Sequence, residues 1–195
     1  MQDVVENKLI LAITYSDGDR ATELLRRLWR SLASAGATCA GVLQRDVPPS
    51  DAQCRCDMIL ECLASGEQLK ISDDRGPMAR GCRLDVGELV RALEIERRAL
   101  HAKPHALFVN KFGKTEGEGG GFRPLIAEAI ELGIPVLLTV PWKNIESWRI
   151  FAGDLAREWP AEGHPRDEDA LVEAVRRWVL PAGSPNSDDL RGATA

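Results

Sequence analysis

The sequence lacks the features that mark a membrane or a secreted protein. No run reaches the ~18 apolar residues that a transmembrane helix needs. The N-terminal stretch MQDVVENKLILAITYSDGDR carries acids before a short apolar run, and it has neither the basic flank nor the small-residue cleavage site of a signal peptide. We therefore expect a cytoplasmic protein with no membrane insertion.

Positive charge is also in short supply. The chain has 25 lysines and arginines against 30 acidic residues, which gives a formal net charge of -5. Such a chain has no global field that attracts a polyanion. Generic nucleic-acid binding is therefore not expected, although a local basic pocket stays compatible with this balance.

Cysteines are few and irregularly spaced. There are five, and an odd number without a secretory signal indicates reduced thiols or metal ligands rather than a disulfide framework. The spacing lacks the C-x2-C pairs of structural zinc, and Cys62 is predicted to be a core thiol. Cys56 and Cys82 are candidate metal or oxyanion ligands because the nearby Arg80 and Arg83 would stabilise a thiolate. Redox chemistry and simple burial stay open for both.

The composition predicts one globular domain. Of 195 residues, 44% are hydrophobic and 28% are charged, which is enough apolar material for one sizeable core. We expect a single domain over residues 1–180. The last residues, 181–195, are small and polar and are expected to form a disordered tail.

Strand-like and helix-like segments alternate along the chain. Buried strands are predicted at residues 8–15, 38–43, 105–109 and 134–140. Amphipathic helices are predicted at residues 20–35, 86–100, 122–132 and 167–179. An antiparallel hairpin is predicted from residues 56–63 and 68–71. This order predicts a three-layer α/β fold, P-loop-NTPase-like, with a mainly parallel sheet and an inserted β-hairpin.

Parallel sheets bind ligands at the carboxyl ends of their strands. Three loops are expected at that edge, over residues 16–19, 44–53 and 110–121. The first reads TYSDGDRAT where a P-loop would read GxxxxGK[ST]. Arg20 stands in place of the phosphate-binding lysine, and Ala21 replaces the hydroxyl that holds Mg²⁺. Because Asp17 and Asp19 would also repel a triphosphate, we expect no working ATPase.

Two interpretations of this first loop remain open. Asp17 or Asp19 is a good helix N-cap, and Gly18 permits the turn. Alternatively, the helix N-terminus, with Ser16 and Arg20, binds a small anion.

The third loop is the most distinctive segment. The strand in ALFVNKFGKTEGEGGGF delivers Asn110, Lys111, Lys114 and Glu116 into a glycine-rich loop. These side chains form either a solvated charged loop or a ligand site beside the first helix. A match of Asn110-Lys111 to the guanine-reading Asn-Lys-x-Asp motif is weak, because Gly113 stands where the aspartate is needed.

The same segment resembles the second motif of the thermophile-type nucleoside-triphosphatase family. There a strand ends in Asp-Glu and continues with Ile-Gly-Lys-Met-Glu. Here Asn110-Lys111 replaces the acidic pair, while Gly113-Lys114 and Glu116 match. The resemblance implies that the metal-holding and water-activating carboxylates are missing.

Four motifs together resemble an uncharacterised bacterial family, domain-of-unknown-function family 2478. They are GVLQR, CDMILECLASG, RGCRLD and VNKFGKTEGEG, and the resemblance covers about residues 8–152. Some members of that family accompany molybdenum-transport functions. The resemblance therefore implies a link to molybdenum metabolism, with transporter or molybdenum-cofactor proteins as candidate partners and a homo-oligomer as an open option.

The leading hypothesis is a small-anion-binding protein whose ligand is a nucleotide or an oxyanion such as molybdate, with Arg45, Arg80 and Arg83 among the ligand-binding residues. The first alternative is a nucleotide-dependent phosphotransferase or hydrolase in which Asp17, Asp19 or Glu116 holds the metal. The second is an interaction module for transporter or cofactor-assembly proteins that uses residues 142–151.

Overall fold

The computed structural model describes residues 8–47, 57–72, 84–162 and 164–181. The predicted ligand-binding residues Arg80 and Arg83 and the predicted metal ligands Cys56 and Cys82 lie outside these ranges, as does the predicted tail beyond Pro181. None of the helices in the described ranges has the length and apolar character needed to cross a bilayer.

Strands and helices alternate along most of the described chain. The strands are β1 (Ile10–Tyr15), β2 (Cys39–Val47), β3 (Asp57–Cys62), β4 (Gln68–Lys70), β5 (Ala106–Val109), β6 (Val136–Pro141) and β7 (Ala156–Pro160). The helices are α1 (Gly18–Ser34), α2 (Val86–His101), α3 (Lys114–Gly117), α4 (Arg123–Glu131), α5 (Ile145–Ala152) and α6 (Pro165–Val179), with 3₁₀ turns at Trp142–Asn144 and Gly153–Leu155.

Within the described ranges the strands form one seven-stranded sheet in the order β4-β3-β2-β5-β6-β1-β7. Five neighbouring strands of this sheet, in the order β2-β5-β6-β1-β7, pair in parallel. The β3–β4 hairpin extends the sheet in antiparallel pairing beyond β2. The predicted mainly parallel sheet with an inserted hairpin is confirmed.

Helices cover both faces of the sheet. On one face α1 and α6 pack together, and α1 contributes an apolar stripe at the spacing of a helix: Ala21, Leu24, Leu25, Leu28 and Leu32. On the other face α2, α4 and α5 enclose a second cluster that includes Phe112 and Trp148. Strands β5 and β6 are buried along their whole length, which explains their uninterrupted apolar sequences.

The structure corrects several predicted boundaries. Helix α1 begins at Gly18 rather than Arg20, so the first predicted loop shrinks to two residues. Strand β2 continues to Val47, through residues that were predicted to be a loop. Beyond Val42 its partner is β3 alone, with pairs from Val42–Cys62 to Val47–Asp57. This stretch is polar because it leaves the buried parallel part of the sheet.

Sequence reasoning missed α5 and β7. Strand β7 is an edge strand of five residues that is nowhere fully buried, and Arg157 and Glu158 hide any apolar run. Its assignment depends on parallel pairing with β1, from Ile10–Ala156 to Thr14–Pro160. Distant partners of this kind leave no local pattern in the sequence.

Candidate functional site

The turn from β1 to α1 is too short to wrap around a phosphate. Only Ser16 and Asp17 separate the strand from the helix. The Asp17 side chain accepts a hydrogen bond from the amide of Asp19 at 3.0 Å, which confirms the capping interpretation. Glu162, which follows β7, accepts from the amide of Ser16 at 2.5 Å. Protein carboxylates therefore take amides that an anion would need.

The electrostatics of this turn agree with its geometry. The hydrogen bond from the Ser16 amide holds the pKa of Glu162 below its ordinary value, and the Arg20 charge adds to that effect. Arg20 itself reaches α6, where its guanidinium pairs with Glu168 at 2.9 Å. Among the described residues, Lys111 and Lys114 line a common cavity, and Arg20 is not part of its walls.

A polar cleft opens between α1 and the β2–β3–β4 part of the sheet. Its volume is about 550 Å³, within the range of roughly 300–1,000 Å³ that is typical of small-molecule sites. Its walls are polar throughout: Asp19, Thr22, Glu23, Arg26, Arg30, Gln44, Arg45, Glu61, Gln68 and Asn110. We call this space the polar cleft.

Most charges in the polar cleft are already paired. Arg26 is only 14% exposed and binds Glu61 of β3 at 2.8 Å. Arg30 pairs with Glu23, two helical turns earlier on α1, at 3.2 Å. Arg45 differs from these two arginines. It donates a hydrogen bond to the side-chain oxygen of Gln68 at 3.3 Å, and it forms no ion pair with a carboxylate of the described residues. Arg45 is therefore the cation that the cleft can offer to a ligand.

Asn110 lies beside Arg45 at the end of the neighbouring strand. Leu43, Phe108 and Leu137 all face α1, so Arg45 and Asn110, two residues further on, share that face. The buried hydroxyl of Thr139 donates to Asn110 Oδ1 at 3.0 Å. Because that bond uses the carbonyl oxygen, the two amide N–H groups are the donors that Asn110 can present to a ligand.

Glu116 has a structural role in the loop that follows β5. Its side chain is 7% exposed. One carboxylate oxygen accepts from the Gly113 amide at 2.8 Å and the other from the Phe122 amide at 3.1 Å. Gly121 has φ +56°, and a Cβ there would lie 2.1 Å from Glu116 Oε1. The loop needs this glycine to close around the carboxylate.

A second, smaller cavity lies on the opposite face of the sheet, with a volume of about 200 Å³. Its walls come from the hairpin, α2 and the loop after β5, and they are largely apolar: Met58, Leu60, Ile71, Leu84, Leu89 and Phe122. Asn110, Lys111, Lys114 and Glu116 line it as well. Lys111 and Lys114 are exposed, and Lys114 pairs with Glu118 at 3.6 Å. We call this space the apolar cavity.

The structure thus divides the predicted ligand-binding residues. Asp19, Arg45 and Asn110 line the polar cleft, whereas Lys111, Lys114 and Glu116 line the apolar cavity together with Asn110. Ser16, Asp17, Gly18 and Arg20 line neither of these two spaces.

Sequence reasoning missed the arginines that α1 contributes to the cleft. Arg26 and Arg30 follow Asp19 and Thr22 at helical spacing, so they form one stripe on α1. A stripe of that kind has the same pattern as a solvated helix face, and only the nearby hairpin turns it into a cleft wall.

Metal ligation finds no support in the described part of the chain. No three histidine, cysteine or acidic side chains there lie close enough to hold a metal ion. Burial raises the pKa of the Cys39 thiol to about 12, and burial with the nearby Glu96 charge does the same for Cys62. Both thiols are therefore protonated at neutral pH and poor ligands.

Comparisons with known proteins agree with this architecture. Residues 10–167 match the family described as "Protein of unknown function (DUF2478)". The crystal structure of THEP1 from the hyperthermophile Aquifex aeolicus superimposes with a TM-score of 0.60 and 16% sequence identity, covering 88% of this chain and 99% of that one. It supports the fold alone.

One curated relative has a stated function. A protein named "Molybdenum import ATP-binding protein ModC 2", from Bradyrhizobium diazoefficiens, is 32% identical over 151 residues. The match covers 77% of this chain but 17% of the relative. The chain thus corresponds to a small part of that protein.

Proposed function

The chain belongs to the DUF2478 family, and from that premise and the polar cleft we propose that it binds a small anion, a nucleotide or an oxyanion such as molybdate, in the service of molybdenum transport. The observation that carries the proposal is Arg45, a cation without a carboxylate partner among the described residues, beside the oriented amide of Asn110 in a cleft at the strand ends. The relative named for molybdenum import supports the molybdenum link.

Binding without hydrolysis is the form of this function that the β1–α1 turn favours. A P-loop surrounds phosphates with backbone amides, whereas here Asp17 and Glu162 accept those hydrogen bonds. Glu116, a candidate metal ligand in the alternative hypothesis of a phosphotransferase, has both oxygens engaged by backbone amides. We therefore expect negligible release of phosphate from ATP or GTP in the presence of Mg²⁺.

The interaction-module alternative rests on the aromatic segment after β6. Trp148 is fully buried and packs edge-on against Phe112, with ring centroids 5.2 Å apart. Phe151 stacks on the same Phe112 ring at 5.5 Å. These contacts give the segment a role in the core. Trp142, 41% exposed, and Ile150, 85% exposed, are the groups that a partner could contact.

The test is a binding titration of the purified chain. Nucleotides, phosphate, sulfate, molybdate and tungstate are each titrated by calorimetry and by thermal shift. We expect saturable binding of at least one, weakened about tenfold or more in Arg45→Gln, the scale of a lost hydrogen bond to a charged group.

The matched control is Arg98→Gln. Arg98 lies on α2, its side chain is 81% exposed, and its recorded ion pair is with Glu94 on the same helix. The Arg98→Gln variant should bind the same anions as tightly as the parent chain does. Absence of saturable binding across the whole panel would contradict the proposal, and so would an Arg45→Gln variant that binds as well as Arg98→Gln.

A further inference from the structure

The polar cleft and the apolar cavity share part of their walls. Gln44, on β2, and Asn110, at the end of β5, line both spaces. The two strands are neighbours, since the amide of Asn110 donates to the carbonyl of Val42 at 3.1 Å. The two spaces therefore adjoin at the carboxyl edge of the sheet, one on each face, with Gln44 and Asn110 in the walls of both.

The walls of the two spaces call for different chemistry. The polar cleft has no aromatic or aliphatic side chain among its described lining residues. The apolar cavity has Met58, Leu60 and Phe122, and its volume of about 200 Å³ is enough for one ring. A bare tetrahedral oxyanion bound in the polar cleft would make no contact with the apolar walls of the neighbouring cavity.

From this juxtaposition we infer that the ligand is an amphipathic organic anion, with one anionic group in the polar cleft at Arg45 and an uncharged, ring-sized body in the apolar cavity. The inference rests on the proposed function and narrows its ligand class. Arg26 and Arg30 are paired with Glu61 and Glu23, so Arg45 is the arginine of the cleft that can pair with one anionic group.

Asn110 acts in this arrangement as a positioning residue at the junction. Thr139 holds its oxygen, so its N–H groups face the ligand where the anionic group joins the body. An isosteric change to aspartate would remove those donors and add a negative charge. Arg45 and Asn110 together thus select a hydrogen-bond acceptor rather than a donor at this point.

The experiment compares three phosphates by calorimetry on the full chain: phenyl phosphate, glycerol 3-phosphate and inorganic phosphate. All carry the same anionic group, and phenyl phosphate alone carries an apolar ring. Because burial of a ring contributes on the order of a tenfold to hundredfold gain in affinity, phenyl phosphate should bind at least about tenfold more tightly than glycerol 3-phosphate.

Three variants locate the two parts of the ligand. Met58→Gln makes the wall of the apolar cavity polar at nearly constant length, and it should weaken phenyl phosphate while leaving inorganic phosphate unchanged. Arg45→Gln should weaken both. Ile150→Gln, at a site 85% exposed and remote from both spaces, should change neither, and thermal unfolding of each variant checks that it is folded.

The outcomes separate this inference from the proposed function. Equal binding of phenyl phosphate and glycerol 3-phosphate would overturn the inference while leaving anion binding intact. Loss of phenyl phosphate binding in Lys114→Ala but not in Arg45→Gln would place the anionic group at the lysines and overturn it as well. Failure of all three phosphates would overturn the inference, and failure of the whole panel of nucleotides and oxyanions as well would overturn both proposals.

Discussion

Two loops at the carboxyl edge of the sheet close on a carboxylate of the protein, and they differ in how deeply that carboxylate lies. After β1, the amide of Ser16 donates to Glu162, whose side chain is exposed. After β5, the amides of Gly113 and Phe122 donate to Glu116, which is 7% exposed. The first contact spans 146 positions of sequence and the second spans three and six.

The two carboxylates differ in how easily water can replace them as acceptors of the backbone hydrogen bonds. Water can replace the exposed carboxylate of Glu162 at little cost, so its bond shapes the turn without holding the fold together. Water cannot reach the amides around Glu116 without opening the loop, so their loss leaves buried donors unsatisfied. In both loops the backbone amides are engaged, which leaves anion recognition to side chains such as Arg45.

The largest effect is expected from Glu116→Ala. Removing the carboxylate leaves the amides of Gly113 and Phe122 without acceptors in a buried site, and each such loss costs on the order of 1–3 kcal/mol. We expect the free energy of unfolding in urea to fall by about 4 kcal/mol. Glu118→Ala, on the same loop but 66% exposed, should change it little. A Glu116→Ala variant as stable as Glu118→Ala would remove the contrast between the two loops.

A third carboxylate sharpens the comparison because it is buried and only half satisfied. Glu96 of α2 is fully buried and accepts from the amide of Gly41 at 2.5 Å. Its other oxygen has no hydrogen-bond partner within the described chain. Burial raises its pKa from 4.5 to about 7, against the opposing effect of the Gly41 hydrogen bond.

This raised pKa predicts how stability changes with pH. Between pH 4.5 and about pH 7, the folded chain keeps a proton on Glu96 that the unfolded chain releases. The free energy of unfolding therefore falls as pH rises, by about 1.4 kcal/mol per unit and about 3 kcal/mol in all, and the Glu96 contribution levels off above that window.

Glu96→Gln isolates this contribution. Glutamine keeps an oxygen for the Gly41 amide but carries no charge. The free energy of unfolding of the variant, relative to that of the parent chain, should therefore increase as pH rises, and above pH 7 the variant should be more stable by about 3 kcal/mol. Urea unfolding of both chains across the window measures it. A difference between them that does not change with pH would show that Glu96 titrates in its ordinary range.

How far the sequence predicts this molecule depends on whether a feature is local. The strands β1, β5 and β6 are predictable because burial on both faces imposes an apolar run, and Asp17 is predictable as a cap because capping acts over two residues. The fold class followed from the order of such segments.

Contacts between distant positions leave no such pattern. Nothing near Ser16 indicates that Glu162 will accept from its amide, and nothing near Gly41 indicates Glu96. Arg26 has the spacing of a solvated helix residue, yet it faces β3 and lines a cleft. The sequence therefore predicts candidate residues at the carboxyl edge of the sheet, but it does not show which of them line the same space.

A smaller effect is expected from Asp17→Ala at the first loop. The substitution removes the acceptor of the Asp19 amide at an exposed helix start, and losses of this kind cost about 1 kcal/mol. Asp17→Asn, which keeps the oxygen, should recover most of the stability in urea unfolding. A loss as large as that of Glu116→Ala would mean that the β1–α1 turn holds the fold as firmly as the loop after β5.

The smallest effect is expected from Glu162→Gln, which keeps an acceptor for the Ser16 amide but removes the charge. Because Glu162 is exposed, the free energy of unfolding at neutral pH should change by less than urea titrations resolve.

The readout is instead the amide proton of Ser16, followed by NMR as pH is lowered. In the parent chain its chemical shift should move with a midpoint below 4.5, since the hydrogen bond lowers the pKa of Glu162. The stabilisation from the hydrogen bond between the Ser16 amide and Glu162 is present above pH 4.5 and is lost as pH falls through this midpoint. In Glu162→Gln the transition should vanish, whereas its persistence would show that the Ser16 amide does not report on Glu162 and would leave that amide free for an anion.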